Sequence, residues 1–144
     1  MNEKIIINKL MKLVMKAAKK EESPVAAVIV YKNRIISSAY NRRNKSNKTI
    51  DHAEIIAINK ANQKLKNWRL NKCSLYVTIE PCPMCAAALR WAQISKIVYG
   101  ASDPKRGYSL FSPNLLHPKT IVESGIMADE CGRIVSDFFK SKRK

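Results

Sequence analysis

Residues 73–99 read CSLYVTIEPCPMCAAALRWAQISKIVY, and this stretch decides the fold. Cys73 to Ile79 alternates as a strand does, and Pro81 ends that run. Cys82 opens a helical segment that reaches about Gln93, and Lys96 to Tyr99 is the next strand. A strand, a helix and another strand predict a right-handed crossover between two parallel strands.

The flanking segments complete an α/β pattern. Residues 2–20 carry a helical apolar stripe with lysines opposite. Val25 to Val30 is a continuous apolar run, typical of a strand covered on both faces. Lys32-Asn33 is predicted to form a hairpin turn that leads into a second strand over Ile35 to Tyr40.

Further elements are predicted with less regular patterns. They are a helix over Ala53 to Leu65 capped by Asp51, a short helix near Ser109 to Leu116, an edge strand over Lys119 to Glu123, and a closing helix over Met127 to Phe139. Trp68 is interpreted as a core residue. The order predicts a single domain over residues 1–144, a three-layer α/β/α sandwich with a mixed five-stranded sheet and helices on both faces.

The net charge of +16, from 27 Lys and Arg against 11 Asp and Glu, indicates a polyanionic partner. A general bias toward Lys and Asn is the alternative explanation. Lys140 to Lys144 is a basic tail that either contacts phosphates or is a solvated terminus. No apolar run approaches the roughly 20 residues of a membrane span, and the start does not resemble a signal peptide, so we expect a cytoplasmic protein with no membrane partner.

The four cysteines of this chain favour metal binding or catalysis over disulfides. Cys82 and Cys85 are three apart, so they share a face of the first helical turn, where the helix dipole and unpaired N–H groups favour thiolates. Pro83 suits that turn because it lacks an N–H. Cys73 and Cys131 are interpreted as buried apolar residues.

His52-Ala53-Glu54 adds an imidazole and a carboxylate to the two thiols. A zinc ion with three protein ligands keeps a position for water, whose pKa it lowers to roughly 7, and Glu54 is then available as a proton shuttle. His52 and Glu54 can face one point only where a helix begins. A structural zinc site would instead need a fourth ligand from Cys73, Cys131 or His117. A non-catalytic, zinc-stabilised RNA-binding module is a further alternative.

The pattern His-x-Glu followed by Pro-Cys-x-x-Cys is similar to the signature of zinc nucleobase deaminases. From Pro24 onward the chain resembles the bacterial tRNA-specific adenosine deaminases of the cytidine deaminase-like superfamily. The resemblance lies in Pro24–Val28, Asn41-Arg42, His52–Ile55, Asn67–Leu70, Leu75–Cys82, Met84–Ala86, Val98–Ala101, Ala128–Cys131 and Ser136–Phe139. The segment between Asp103 and Ser109-Leu110 is shorter here than is common in that family.

This resemblance implies a homodimer that acts on a tRNA anticodon loop, converting wobble adenosine to inosine, with an arginine tRNA as the implied substrate. It implies one zinc ion per chain on His52, Cys82 and Cys85, Glu54 as proton shuttle, and no organic cofactor. It suggests that Asn41 contacts the target nucleotide, and that the stretch with Asp103, Lys105 and Arg106 meets the anticodon loop. Guanine, cytosine and cytidine deaminases share the zinc motif and are the alternative.

Overall fold

The computed structural model of the protein describes residues 3–112 and 114–125, together with the helical residues 133 and 137. Within these residues a mixed five-stranded sheet carries helices on both faces, which confirms the predicted α/β class. The elements are α1 (Glu3–Lys19), β1 (Ala26–Tyr31), β2 (Arg34–Tyr40), α2 (Arg43–Ser46), α3 (Ala53–Leu65), β3 (Ser74–Ile79), α4 (Pro83–Ala92), β4 (Lys96–Ala101), a 3₁₀ helix (Tyr108–Leu110) and β5 (Ile121–Ser124).

The strand order is β2-β1-β3-β4-β5. β1 is antiparallel to both of its neighbours, whereas β4 is parallel to β3 and β5, so β3-α4-β4 is the predicted crossover. Because β1 opposes both β2 and β3, the strands β2, β3 and β4 all run in one direction. Their carboxyl ends therefore meet at one edge of the sheet, which is where ligand sites form in sheets of this kind.

The side chains of β1 explain why its sequence is apolar throughout. Ala27 and Ile29 point into a cluster formed with α3 and α4, while Ala26 and Val28 pack against α1 on the opposite face. All four side chains are completely buried. Burial on both faces removes the need for alternating polar residues, as the unbroken apolar run predicted.

The structure tests several predictions about local elements. Lys32 and Asn33 have φ angles of 49° and 60°, as a tight hairpin turn requires, which confirms the predicted turn. The polar segment after β2 contains the short helix α2, which was not predicted. The helix predicted near Ser109 to Leu116 is wrong, because among the described residues of this stretch only the 3₁₀ turn Tyr108–Leu110 forms.

The core assignment of Trp68 is also wrong. Lys66, the C-cap residue after α3, has the left-handed conformation, and the loop that follows buries Leu70 instead. Trp68 remains 57% exposed, and the guanidinium carbon of Arg69 lies 4.7 Å from the centroid of its ring. A short loop that buries its leucine leaves the indole to solvent.

The C-terminal part of the sequence is described only in part. The predicted closing helix over Met127 to Phe139 and the tail Lys140 to Lys144 lie outside the described residues, except that residues 133 and 137 are helical. Among the helices in the described ranges, none has the length and apolar character needed to cross a bilayer.

Candidate active site

Three predicted ligand side chains converge at the carboxyl edge of the sheet. His52 Nδ1 lies 3.6 Å from Cys82 Sγ and 3.5 Å from Cys85 Sγ, and the three donor atoms lie within 4.8 Å of one another. Zinc bonds of about 2.3 Å to sulfur and about 2.05 Å to nitrogen, at the tetrahedral angle, would place nitrogen and sulfur about 3.6 Å apart. The group therefore fits one zinc ion.

A closed site with four protein ligands is not what the described residues form. The group of mutually close donor atoms contains His52, Cys82 and Cys85, and neither Cys73 nor His117 belongs to it. Cys131 lies outside the described residues. The donor set matches the three-ligand type that leaves a coordination position for water.

The ligands are positioned by two helix N-termini. His52 is the N-cap of α3 with φ −73° and ψ 151°, and Cys82 is the N-cap of α4 with φ −73° and ψ 169°. An extended N-cap residue turns its side chain away from the direction that helical geometry would give it. His52 and Glu54 can therefore face the same point although they are two residues apart, as predicted. Pro83 occupies the first turn of α4, also as predicted.

The helix α3 is capped by a residue from outside its own sequence. Asn41 Oδ1 accepts a 2.7 Å hydrogen bond from the backbone N–H of Ala53. The prediction that Asp51 caps this helix is wrong, because the N-cap position belongs to His52. Asn41 is 6% exposed and follows β2, so the fold carries it to the first turn of α3 between the metal ligand and the carboxylate.

The two site cysteines share a hydrogen bond that separates their acidities. That bond, together with the bond to His52, lowers the pKa of Cys82 to about 4 against the opposing effect of burial. The same bond and burial raise the pKa of Cys85. Zinc would bind both cysteines as thiolates, so its binding would release the proton that the pair shares.

Glu54 lies beside the ligands in an enclosed position. Its side chain is 3% exposed, and within the described part of the chain nothing donates a hydrogen bond to its Oε1. Burial raises the pKa of the Glu54 carboxyl to about 7, with the negative charge of Cys82 adding to the rise. A buried carboxyl oxygen with no protein partner needs something at the site to bind, and a water molecule or a substrate proton meets that need.

Three of the predicted RNA-contacting residues lie on the loop after β4. Asp103 Oδ1 accepts hydrogen bonds from the backbone N–H groups of Lys105, at 3.0 Å, and Arg106, at 2.9 Å. The Asp103 carboxylate therefore shapes the turn, while Lys105 and Arg106 expose their side chains. The role of all three in substrate binding stays a prediction.

Sequence reasoning missed Glu80 and Gly107, which hold that loop in place. Glu80 is 4% exposed and accepts hydrogen bonds from Asp103 and Ser109. The available signal was an acidic residue at the end of a buried strand, directly before the Pro-Cys of the metal motif. Burial of such a residue calls for a specific partner.

Comparison with known proteins agrees with this geometry. A model of the MafB19-like deaminase family matches residues 1–143. A tRNA-specific adenosine deaminase of Bacillus subtilis (strain 168) is 40% identical over 147 residues, which cover 99% of this chain and 91% of the relative.

Solved structures share the fold as well. One, from biochemical and structural studies of A-to-I editing by tRNA:A34 deaminases at the wobble position of transfer RNA, has a TM-score of 0.82 and 36% identity, over 89% of this chain and 96% of that chain. A guanine deaminase from Bacillus subtilis has a TM-score of 0.69 and 26% identity, over 100% of this chain and 96% of that chain.

The chain is a deaminase by its family model, and its sheet, helix N-termini and His-Cys-Cys group agree with that class. The particular family follows from the 40% identity to a tRNA-specific adenosine deaminase over nearly the whole chain. The chain belongs to the tRNA-specific adenosine deaminase family.

Proposed function

We propose that this protein is a zinc-dependent enzyme that hydrolyses adenosine to inosine at the wobble position of a tRNA, with an arginine tRNA as the substrate. The reaction forms a bond from water oxygen to the purine carbon that bears the amino group, and the bond from that carbon to nitrogen breaks to release ammonia. The observation that carries this proposal is the group of three zinc-ligand atoms with a buried, unengaged Glu54 oxygen beside it.

The residues of this chain divide the chemistry between binding and proton transfer. When bound by His52, Cys82 and Cys85, zinc supplies Lewis acidity that activates water. As a carboxylate, Glu54 takes one proton from the attacking water and passes it to the ring nitrogen, where inosine keeps it. It then carries the second proton of the water to the amino nitrogen, which leaves as ammonia. The enclosed position of Glu54 keeps bulk solvent from competing for the proton.

The proposed substrate agrees with the charge and the form of the site. An anticodon-loop nucleotide leaves its stack at lower cost than a paired base, and it can then reach an enclosed zinc. The exposed side chains of Lys105 and Arg106 can bind the phosphates on either side of that nucleotide. The net charge of +16 favours a polyanionic substrate over a free base. Asp103 supports this RNA contact because its carboxylate shapes the turn that carries Lys105 and Arg106.

We further propose that the chain acts as a homodimer. Large apolar side chains on α4 and around the 3₁₀ helix stay exposed in the single chain, namely Trp91 at 79%, Leu110 at 57% and Phe111 at 66%. Arg90 Nη1 donates to the carbonyls of Asn114 and Leu116 and so holds the following segment against α4. Exposed apolar surface of this kind is typical of protein interfaces. A light-scattering mass of one chain in dilute solution would contradict the dimer.

Asn41 offers a test that separates its structural role from its proposed substrate contact. Asn41→Ala is expected to lower the free energy of unfolding by about 0.5–2 kcal/mol, because the Ala53 N–H loses its acceptor. Asn41→Asp keeps an acceptor there and should be nearly as stable as the native protein. Both variants lack the amide N–H₂ that we propose contacts the nucleotide, so both should raise KM.

Denaturant unfolding and steady-state kinetics of the two Asn41 variants check this expectation. A native KM in Asn41→Asp, with a raised KM only in the destabilised Asn41→Ala, would limit Asn41 to capping α3. A native stability in Asn41→Ala would show that the capping bond contributes nothing measurable.

The function itself is tested by incubating the zinc-loaded protein with unmodified arginine tRNA transcript that carries adenosine at the first anticodon position. We expect inosine at that position and at no other adenosine. The matched control is the same transcript with guanosine there. Guanine, cytosine and cytidine are assayed in parallel for ammonia release. Turnover of a free base or nucleoside with unedited tRNA would replace the proposal with its alternative, and the absence of all these reactions would favour a non-catalytic RNA-binding module.

A further inference from the structure

The carboxyl group of Glu80 joins the end of β3 to the loop that follows β4. Glu80 Oε1 accepts a 3.2 Å hydrogen bond from the backbone N–H of Asp103. Glu80 Oε2 accepts from the backbone N–H of Ser109 at 3.1 Å and from its hydroxyl at 2.6 Å. One buried side chain therefore ties down both ends of the segment 103–109.

Gly107 lies directly against this carboxyl group. A Cβ atom at position 107 would overlap Glu80 Cδ and lie 2.5 Å from each carboxyl oxygen. Gly107 has φ −61° and ψ 142°, which any residue adopts, so its backbone does not require glycine. A side chain at position 107 would instead have to push the Glu80 carboxyl group away from its hydrogen-bond donors.

The anchored segment is the one that exposes Lys105 and Arg106. Its turn is closed by the Asp103 carboxylate, and the backbone N–H of Tyr108 donates to the carbonyl of Pro81 at 2.9 Å. Pro81 directly precedes the metal ligand Cys82. The basic turn and the ligand-bearing helix are therefore fixed to the same two consecutive residues, Glu80 and Pro81.

We propose that Glu80 is a positioning residue for RNA recognition: its buried carboxyl group sets Lys105 and Arg106 at a fixed place relative to the metal-binding helix α4. This inference rests on the proposed function. A phosphate held by the turn then lies at a set distance from the reacting base. The inference assigns Glu80 an effect on substrate affinity rather than on the chemical step.

The hydrogen bonds explain why this position requires a carboxyl group. The groups around it are N–H and O–H donors, and a carboxylate accepts on both oxygens. A glutamine has nearly the same shape but only one accepting atom, and its N–H₂ would face a donor. Glu80→Gln should therefore keep the fold and displace the loop.

The experiment is a double-mutant cycle on binding to an arginine tRNA transcript. Native protein, Glu80→Gln, the pair Lys105→Ala with Arg106→Ala, and the triple variant are compared by Kd, KM, kcat and bound zinc. We expect Glu80→Gln to weaken binding about tenfold, with zinc retained and kcat nearly native. The triple variant should bind little more weakly than the Lys105-Arg106 variant, because residues in one network are energetically coupled.

A matched control separates the loss of the Glu80 hydrogen bonds from the loss of its negative charge. Glu80→Gln removes one negative charge, so the overall field alone would make the protein bind RNA more tightly. Glu123→Gln removes the same charge from an exposed side chain that pairs with Lys96. Glu123→Gln should leave binding unchanged or slightly tighter, while Glu80→Gln weakens it. The slope of log K against log salt should also fall by about 1–2 in Glu80→Gln, because phosphate contacts are lost.

Three results would overturn the inference. They are tighter or native RNA binding in Glu80→Gln, additive effects in the cycle, and a native salt slope. If Glu80→Gln does not fold, Ser109→Ala removes only the 2.6 Å bond and Gly107→Ala pushes on the same carboxyl group, and each must raise KM by itself or the inference is lost. If native protein forms inosine but the mutational effects on binding are additive, this inference alone fails. If the effects are coupled but no inosine forms, the proposed function alone fails.

Discussion

Replacing Glu54 with glutamine is expected to lower kcat for inosine formation by about 10²–10⁴-fold, the range that a lost general acid–base residue produces. Glutamine fills the same enclosed space but cannot accept the water proton. The metal ligands are untouched, so zinc should remain at one ion per chain. RNA affinity should also stay native, because Glu54 is buried and faces the metal site rather than the basic loop.

The same substitution has a second expected effect, on stability. Burial disfavours the charged form of Glu54, as the rise in its pKa shows, so a neutral side chain of equal size avoids that cost. Without zinc, Glu54→Gln should therefore unfold at the same or a higher denaturant concentration than the native apoprotein. Loss of activity together with equal or greater stability separates a catalytic role from a structural one.

Single-turnover kinetics with saturating enzyme, zinc analysis and denaturant unfolding check the Glu54 prediction. Glu123→Gln is the matched control, since it makes the same change on an exposed strand and should leave kcat native. Native kcat in Glu54→Gln would remove Glu54 from the mechanism. Loss of zinc would mean that Glu54 acts as a ligand, and the three-ligand assignment would then fail.

Features that depend on local sequence were predicted well. The bounds of α3 are those predicted, and the crossover β3-α4-β4 forms where its pattern indicates. Strand alternation, the Pro-Cys helix start and the hairpin turn are each decided by residues close in sequence. The metal group follows from the same features, because the two helix starts carry the ligands and the parallel strands bring those starts together.

Features that depend on distant partners were predicted poorly. Asp51 was the reasonable local cap for α3, yet Asn41 fills that role because β2 ends beside the helix. Trp68 was assigned to the core by its chemistry, yet the short loop after α3 buries Leu70 and leaves the indole exposed. In both cases the competing residue is equally suitable by type, and only the path of the chain decides between them.

The loop after β4 is the clearest example of this limit. The resemblance to the tRNA-specific adenosine deaminases suggests Lys105 and Arg106 as candidates for RNA contact. The sequence does not reveal that Glu80, more than twenty positions earlier, accepts the hydrogen bonds that hold them. Nor does it reveal that a Cβ atom at position 107 would displace that carboxyl group. The residues that carry the chemistry can therefore be predicted from the sequence, whereas the residues that hold them in position cannot.

Replacing Cys82 with serine is expected to remove zinc and reduce inosine formation to background. Cys82 supplies one of the three ligand atoms, and a hydroxyl is a poor substitute for a thiolate on zinc. Cys82 is also the N-cap of α4, so the substitution changes the apoprotein as well. Serine gains a capping group worth about 0.5–2 kcal/mol, but it loses a thiolate that the fold stabilises at neutral pH, as the lowered pKa of Cys82 shows.

Measuring stability with and without zinc separates the ligand role of Cys82 from its effect on the apoprotein. Zinc that binds only the folded state stabilises native protein by about 4 kcal/mol when free zinc is about 1,000 times its Kd. Added zinc should therefore raise the Tm of native protein and leave that of Cys82→Ser unchanged, whatever the relative stability of the two proteins in chelator. Cys73→Ala is the control, because Cys73 is a buried cysteine outside the ligand group. That control should lose stability but keep one zinc and full activity. A Cys82→Ser protein that still binds one zinc per chain and edits tRNA would show that the metal, and with it the chemistry, lies elsewhere.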